Sequence, residues 1–145
     1  MSTQFDNVAV ASNCIDGVIT YPGCSGSGCC PYICHTLYNP NEWLVITVTG
    51  YSVNKVVVYN RIDGSENGHT SRINNAKLIY SYDFAGTSII HQSSFGTTAS
   101  LTYTFDFSTT SYVRIQQTTS YAISLLEVAL YNDNGKIPIS GKYLF

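Results

Sequence analysis

The chain has 145 residues, a net charge of −2 and only seven Lys and Arg, spread along its length. That length fits one domain of ordinary size. It offers no basic patch for nucleic acid and no apolar run near the roughly 20 residues that span a bilayer. With 44% hydrophobic and 11% charged residues it also lies outside the composition of disordered chains.

Twelve Tyr residues with abundant Thr, Ser and Val give a strand composition, because β-branched and aromatic side chains suit a pleated, half-buried surface. In chain order, the polar segment Met1 to Asn7 lacks the basic and apolar regions of a secretion signal, so none is expected. Asn7 to Ala11 alternates briefly, and Ser12 to Pro31 reads as a loop rich in Gly, Ser and Cys. Strands are predicted at Glu42 to Val48, Asn54 to Asn60, Ala76 to Tyr82, Ser100 to Phe107, Tyr112 to Gln117 and Leu125 to Tyr131. Asp133-Asn134-Gly135 signals a tight turn. No segment holds a helical period with caps, so almost no helix is expected. Short strands separated by turns mean a sandwich or barrel.

Alternation assigns the faces. Val113 and Ile115 share one face of their strand, and Arg114 and Gln116 the other. Asn54 to Asn60 is apolar on both faces, which predicts a central strand. The single tryptophan, Trp43, is expected as a core anchor at the start of a strand rather than as an exposed ligand platform.

Four segments carry a resemblance: NEWLVITVTG from Asn41, VNKVVVYNRIDG from Val53, SRINNAKLIY from Ser71, and YVRIQQTTSYAISLLEVALYNDNG from Tyr112. Together they resemble the discoidin (coagulation-factor type C) family over about residues 12–135. The resemblance implies an all-β, galactose-binding-like jelly-roll β-sandwich spanning 1–145. It also implies non-enzymatic binding of glycans, lipids or proteins through loops at one end. Similar domains occur in proteins of large DNA viruses.

One branch, the fucose-binding F-type lectins, has a narrower signature of His, then Arg-x-Asp, then Arg or Lys. Here His35 is followed by 25 residues, then Arg61-Ile62-Asp63, then Arg72. The chemistry suits a sugar, which needs fixed donors for its hydroxyls. Arg61 and Arg72 offer planar, always-charged forks, His35 a further donor, and Asp63 a charge-assisted hold on an arginine. Gly64 and Ser65 stand where the lectins carry adjacent cysteines, and the loop to Arg72 is longer. On the alternative reading, Arg61 and Asp63 form an ion pair that supports a turn, and His35 is a hydrogen-bonded loop residue.

The resemblance also implies a calcium-stabilised loop. Asn13-Cys14-Ile15-Asp16-Gly17 matches the family's Asn-x-x-Asp-Gly turn, and Glu127 matches its acidic partner. Asp16 and Glu127 would give side-chain oxygens, and Asn13, Val18 and Leu126 carbonyls, towards the six to eight oxygens calcium takes. The alternative is a plain Asp-Gly turn, with Glu127 exposed or capping backbone amides. The stretch after Gly17 departs from the family pattern.

Cys24, Cys29, Cys30 and Cys34 fall within eleven residues, with Cys14 just upstream. Disulfides stapling a loop with little core of its own, free thiols, and a metal site with His35 are all open readings. Five is odd, so at least one thiol stays unpaired within the chain. No hydrolase, metalloprotease or phosphate-loop motif is present. His69 and His91 are expected in polar loops, and the adjacent Cys34 and His35 side chains diverge, so no enzyme is expected.

Two functions follow. The first expectation is a virion structural or surface protein, oligomeric or bound in an assembly through protein partners. The apolar tail Lys136 to Phe145, with Ile137, Ile139, Tyr143, Leu144 and Phe145, is expected to close the sandwich or insert into a neighbour. The alternative is a calcium-dependent, F-type-like lectin or adhesion module at an extracellular surface, with glycans as partners.

Overall fold

A computed structural model describes residues 1, 3, 4, 7, 9–20, 32–48, 50–62, 69–96, 100–104 and 111–139. Nine strands occur among them: β1 (Cys34–His35), β2 (Trp43–Thr47), β3 (Lys55–Asn60), β4 (Ala76–Ser81), β5 (Ile89–Ser94), β6 (Ser100–Thr104), β7 (Tyr112–Gln117), β8 (Ser124–Asn132) and β9 (Gly135–Lys136). Two 3₁₀ turns, Ala11–Ile15 and Thr70–Asn75, are the helical content there. The six strands expected from alternation are all present. Asn7 to Ala11 forms no strand among its described residues.

The strands form two antiparallel sheets. One runs β1-β8-β3-β6, with β9 also on β8; the other runs β2-β7-β4-β5. Leu44, Ile46, Leu78 and Ile115 from the second sheet meet Val56, Val58, Val128 and Leu130 from the first in one core. Each such side chain, fully buried, contributes about 1.5–3 kcal/mol. β3 is central, as its two apolar faces predict: Val56 and Val58 are buried in the core, and Val57 and Tyr59 are half-buried on the outer face.

Three features differ from the alternation argument. β5 is an edge strand of mostly exposed residues, IIHQSS, and so carries little apolar signal; it puts His91, expected in a loop, on a strand. Trp43 does not lie between the sheets. Leu44 and Ile46 point inward, and Trp43 packs on the outer face, edge-on to Phe84 at 5.3 Å and under the Arg114 guanidinium at 4.9 Å. Arg114 is consequently buried, its Nη1 donating to the Phe84 carbonyl and its Nε to Gln116 Oε1.

A β-bulge shapes β8. Tyr59 pairs with Glu127 and Asn60 with Leu125, so Leu126 is passed over. The extra residue shifts the side-chain phase. Leu125 and Val128 therefore both enter the main core, while Leu126 packs with Ala9 and Ile33 in a second cluster. The turn at Asp133-Asn134 forms as expected and returns the chain as β9, with Gly135 at φ 115. Beyond it Ile137 is 2% exposed in the main core, and its N–H donates to the Leu130 carbonyl. This part of the tail closes the sandwich; residues 140–145 lie outside the described residues.

Cys14 and Cys34 form a disulfide, tying the Ala11–Ile15 turn to β1. Cys24, Cys29 and Cys30 lie outside the described residues. Closing a loop with a sequence separation of 20 removes unfolded-state entropy worth about 3 kcal/mol. The Cys14→Ser/Cys34→Ser double variant is expected to lose about that much stability, read as a lower urea midpoint with an intact two-sheet circular dichroism spectrum.

Candidate functional site

Antiparallel pairing gathers several connections at one end of the sandwich. The ends of β1 and β3 lie there, as do the starts of β2, β4 and β8. His35 pairs with Ser124, and Asn60 with Leu125. β8 lies between β1 and β3, so His35 and Asn60 stand two strand spacings apart, about 10 Å. Arg61 follows directly on Asn60.

His35 is buried, and its N–H donates to the Ala9 carbonyl at 3.1 Å. Beyond it, Thr36 N–H donates to the Ile123 carbonyl at 3.0 Å, and Ile123 N–H donates back to Thr36 Oγ1 at 2.9 Å. The chain then turns outward to Tyr38, which is 44% exposed. The His35 ring meets the Tyr38 ring edge-on, with centroids 5.7 Å apart. The Arg72 guanidinium lies over the same ring, 5.0 Å from its centroid. Two of the expected sugar contacts thus converge on one exposed tyrosine.

Arg72 sits on the 3₁₀ turn Thr70–Asn75, and polar side chains from both sheets hold that turn. Asn60 Nδ2 donates to the Thr70 carbonyl at 2.9 Å. Gln117 Nε2 donates to the Arg72 carbonyl at 2.5 Å, and Thr118 Oγ1 to the Asn75 carbonyl at 2.6 Å. Ile73, 2% exposed, anchors the turn in the core. Arg61 is buried at 8% exposure, with Ile62 beside it half exposed. Asp63, Gly64 and Ser65 lie outside the described residues.

Alternation alone did not single out Tyr38, Asn60 or Gln117. Gln117 left a trace: it falls on the same strand phase as Val113 and Ile115, where a polar residue needs a buried partner. Tyr38 left none, because its position depends on the path of the loop after β1.

The loop expected to hold calcium lies elsewhere, at the edge of the first sheet. Asn13 Nδ2 donates to the Ile33 carbonyl at 2.9 Å. Asp16 Oδ1 accepts from Val18 N–H at 2.8 Å, and Gly17 has the positive φ of 87 that its turn requires. Glu127 is fully buried. Its Oε2 accepts from Gly17 N–H at 3.0 Å, and its Oε1 from Lys136 Nζ at 3.1 Å. The bulge turns Glu127 towards this loop, and Leu126 is buried beside it. Asp16 Oδ1 and both Glu127 oxygens, expected for calcium, are therefore engaged by the chain's own donors, one of them a cation. As arranged, this set does not fit a divalent ion. Among the described residues, no group of three or more His, Cys, Asp or Glu side chains is placed to hold a metal.

Burial pushes the Glu127 carboxyl up from its ordinary value; the Gly17 N–H and the Lys136 ammonium pull it down, and Asp16 pushes it further up.

No protein-family model matches the sequence, and no curated protein matches it either. Solved structures do match the fold. The lectin domain of lectinolysin, complexed with Lewis B antigen, superposes with a TM-score of 0.73 at 23% identity, covering 91% of this chain and 89% of that one. A fucose-binding module of Streptococcus pneumoniae gives 0.72 at 21% identity, covering 91% and 88%. The f-lectin from striped bass serum gives 0.68 at 21% identity; 89% of this chain matches 44% of that one. The chain therefore has the galactose-binding-like jelly-roll β-sandwich fold of these modules, as the sequence resemblance implies.

Two measurements test this local account. Gln117→Leu strands the buried Arg72 carbonyl and is expected to lower stability by about 1–3 kcal/mol in urea unfolding. For Glu127, the folded state holds a proton more tightly than the unfolded chain does. The resulting stability is fully present below the ordinary value of 4.5 and is lost as pH rises through the folded-state value. Glu127→Gln is expected to flatten that segment of a melting-temperature profile measured from acid to neutral pH.

Proposed function

We propose that this chain is a non-enzymatic carbohydrate-binding module that holds a sugar at the end of the sandwich carrying His35, Tyr38, Arg61 and Arg72. The observation that carries this is the convergence of His35 and Arg72 on the exposed ring of Tyr38, on a fold shared with fucose-binding modules. Arg61 and Arg72 supply the donors. A guanidinium forks onto neighbouring hydroxyls where an ammonium acts as a point charge. Tyr38 supplies an apolar ring with a polar tip, suited to the C–H face of a sugar. This ring takes the part that adjacent cysteines play in the F-type lectins, where this chain has Gly64 and Ser65.

Asp63 completes the expected motif in the sequence. The burial of Arg61, and hydrogen bonds from Asn60 and Gln117 around Arg72, support a site with little motion to lose on binding. The fold neighbours favour this reading over a structural role in a virion. An extracellular surface is the setting it implies, and a disulfide persists in that compartment. No helix among the described residues is long and apolar enough to cross a membrane.

A glycan array that includes fucosylated oligosaccharides tests the proposal. Binding is expected, with Arg61→Ala and Arg72→Ala each weakening it at least about tenfold, since a hydrogen bond from a charged group contributes about 1.5–3 kcal/mol. Arg61→Lys is expected to restore little, because an ammonium cannot reproduce the planar fork. Absence of binding to every glycan, or unchanged affinity in both alanine variants, overturns the proposal.

A further inference from the structure

We propose that Lys136 is a built-in cation that replaces calcium in this chain, so that the Asp16-Gly17 loop is held to Glu127 without any metal. The two oxygens of Glu127 have complementary partners. Oε2 accepts from the Gly17 N–H at 3.0 Å, and Oε1 accepts from Lys136 Nζ at 3.1 Å. Glu127 is fully buried, and a buried carboxylate needs a positive partner with good geometry. The ammonium lies on the loop itself: a Cβ built on Gly17 would stand 4.0 Å from Lys136 Nζ.

The fold presents this lysine from two sides. On one, the hairpin between Asn132 and Gly135 pairs Lys136 with Tyr131. On the other, Ile137 is buried, with its N–H bonded to the Leu130 carbonyl. The Lys136 backbone is thus fixed between a turn and a core anchor. Its side chain, 45% exposed, crosses a cleft of about 330 Å³ lined by Ile15, Asp16, Gly17, Glu127 and Pro138.

A calcium ion in this cleft would have to displace the ammonium from Glu127 Oε1. It would also compete with Val18 N–H for Asp16 Oδ1. Calcium takes six to eight oxygens, and here Asp16 Oδ1 and both Glu127 oxygens already accept from internal donors. A single tethered positive charge also suits a loop that closes on one buried carboxylate, since Asp16 is exposed to water. The consequence is a module whose loop stays folded where calcium is scarce.

Thermal unfolding of the full chain tests this without any glycan, so the result is independent of the sugar site. The wild-type melting temperature is expected to be the same in excess calcium chloride and in excess chelator. Lys136→Met, which leaves the buried Glu127 without its cation, is expected to melt several degrees lower. Lys136→Arg, which keeps the charge, is expected to recover most of that loss. A wild-type melting temperature that rises by several degrees with calcium and falls with chelator overturns the proposal, because a ligand bound only by the folded state must stabilise it. So does a Lys136→Met variant as stable as the wild type. If Lys136→Met does not fold, the calcium comparison on the wild type and a folded Lys136→Arg still decide the question.

Discussion

Strand β8 is where the constraints of this molecule meet. It pairs with β1, β3 and β9, and its first two residues face His35 and Asn60. A one-residue slip in a strand moves its side chains to the opposite face. Here the bulge at Leu126 applies such a shift within the strand itself. Before the bulge, Leu125 points into the core; after it, Val128 and Leu130 do so, and Glu127 points to the Asp16-Gly17 loop. Both the His35 end of the sandwich and the ion-paired loop depend on that register.

Polar side chains do much of the positioning, and they do it from buried places. Gln117 and Asn60 are at most 1% exposed, yet each donates to a carbonyl of the turn that carries Arg72. A buried amide without a partner destabilises strongly, while a satisfied one fixes geometry. The turn is thereby held from both sheets. The disulfide acts in the same direction on the other flank, because Cys34 immediately precedes His35.

The chain carries few charges and many rings, and it pairs them. Arg72 lies over Tyr38, Arg114 over Trp43, and Lys55 over Tyr131 at 4.2 Å. A cation over an aromatic face keeps its charge while its flat side loses water. At Arg114 the arrangement closes the outer face of the second sheet. At Arg72 it sets a half-buried guanidinium against an exposed ring, which is why this end reads as a candidate binding site. Lys136 follows the other route, matched to a buried carboxylate.

The fold class was legible in the amino-acid order because alternation with a period of two is a local property. Val56 and Val58, or Val113 and Ile115, declare their shared face without reference to any other strand. The motif His35, Arg61, Arg72 and the Asp16-Gly17 turn were legible through the family resemblance. Other features depended on contacts between residues far apart in the chain. Gln117 meets Arg72 across 45 positions, and Gly17 meets Glu127 across 110. Tyr38 joins His35 to Arg72 only after three strands are in register. The bulge that re-aims Glu127, and the hairpin that brings Lys136 to it, likewise have no local signature strong enough to name the pair. The sequence by itself determined which residues alternate, turn and carry charge. Tertiary structure alone decided which of them meet, because only the packed sheets set the distances over which hydrogen bonds and ion pairs act.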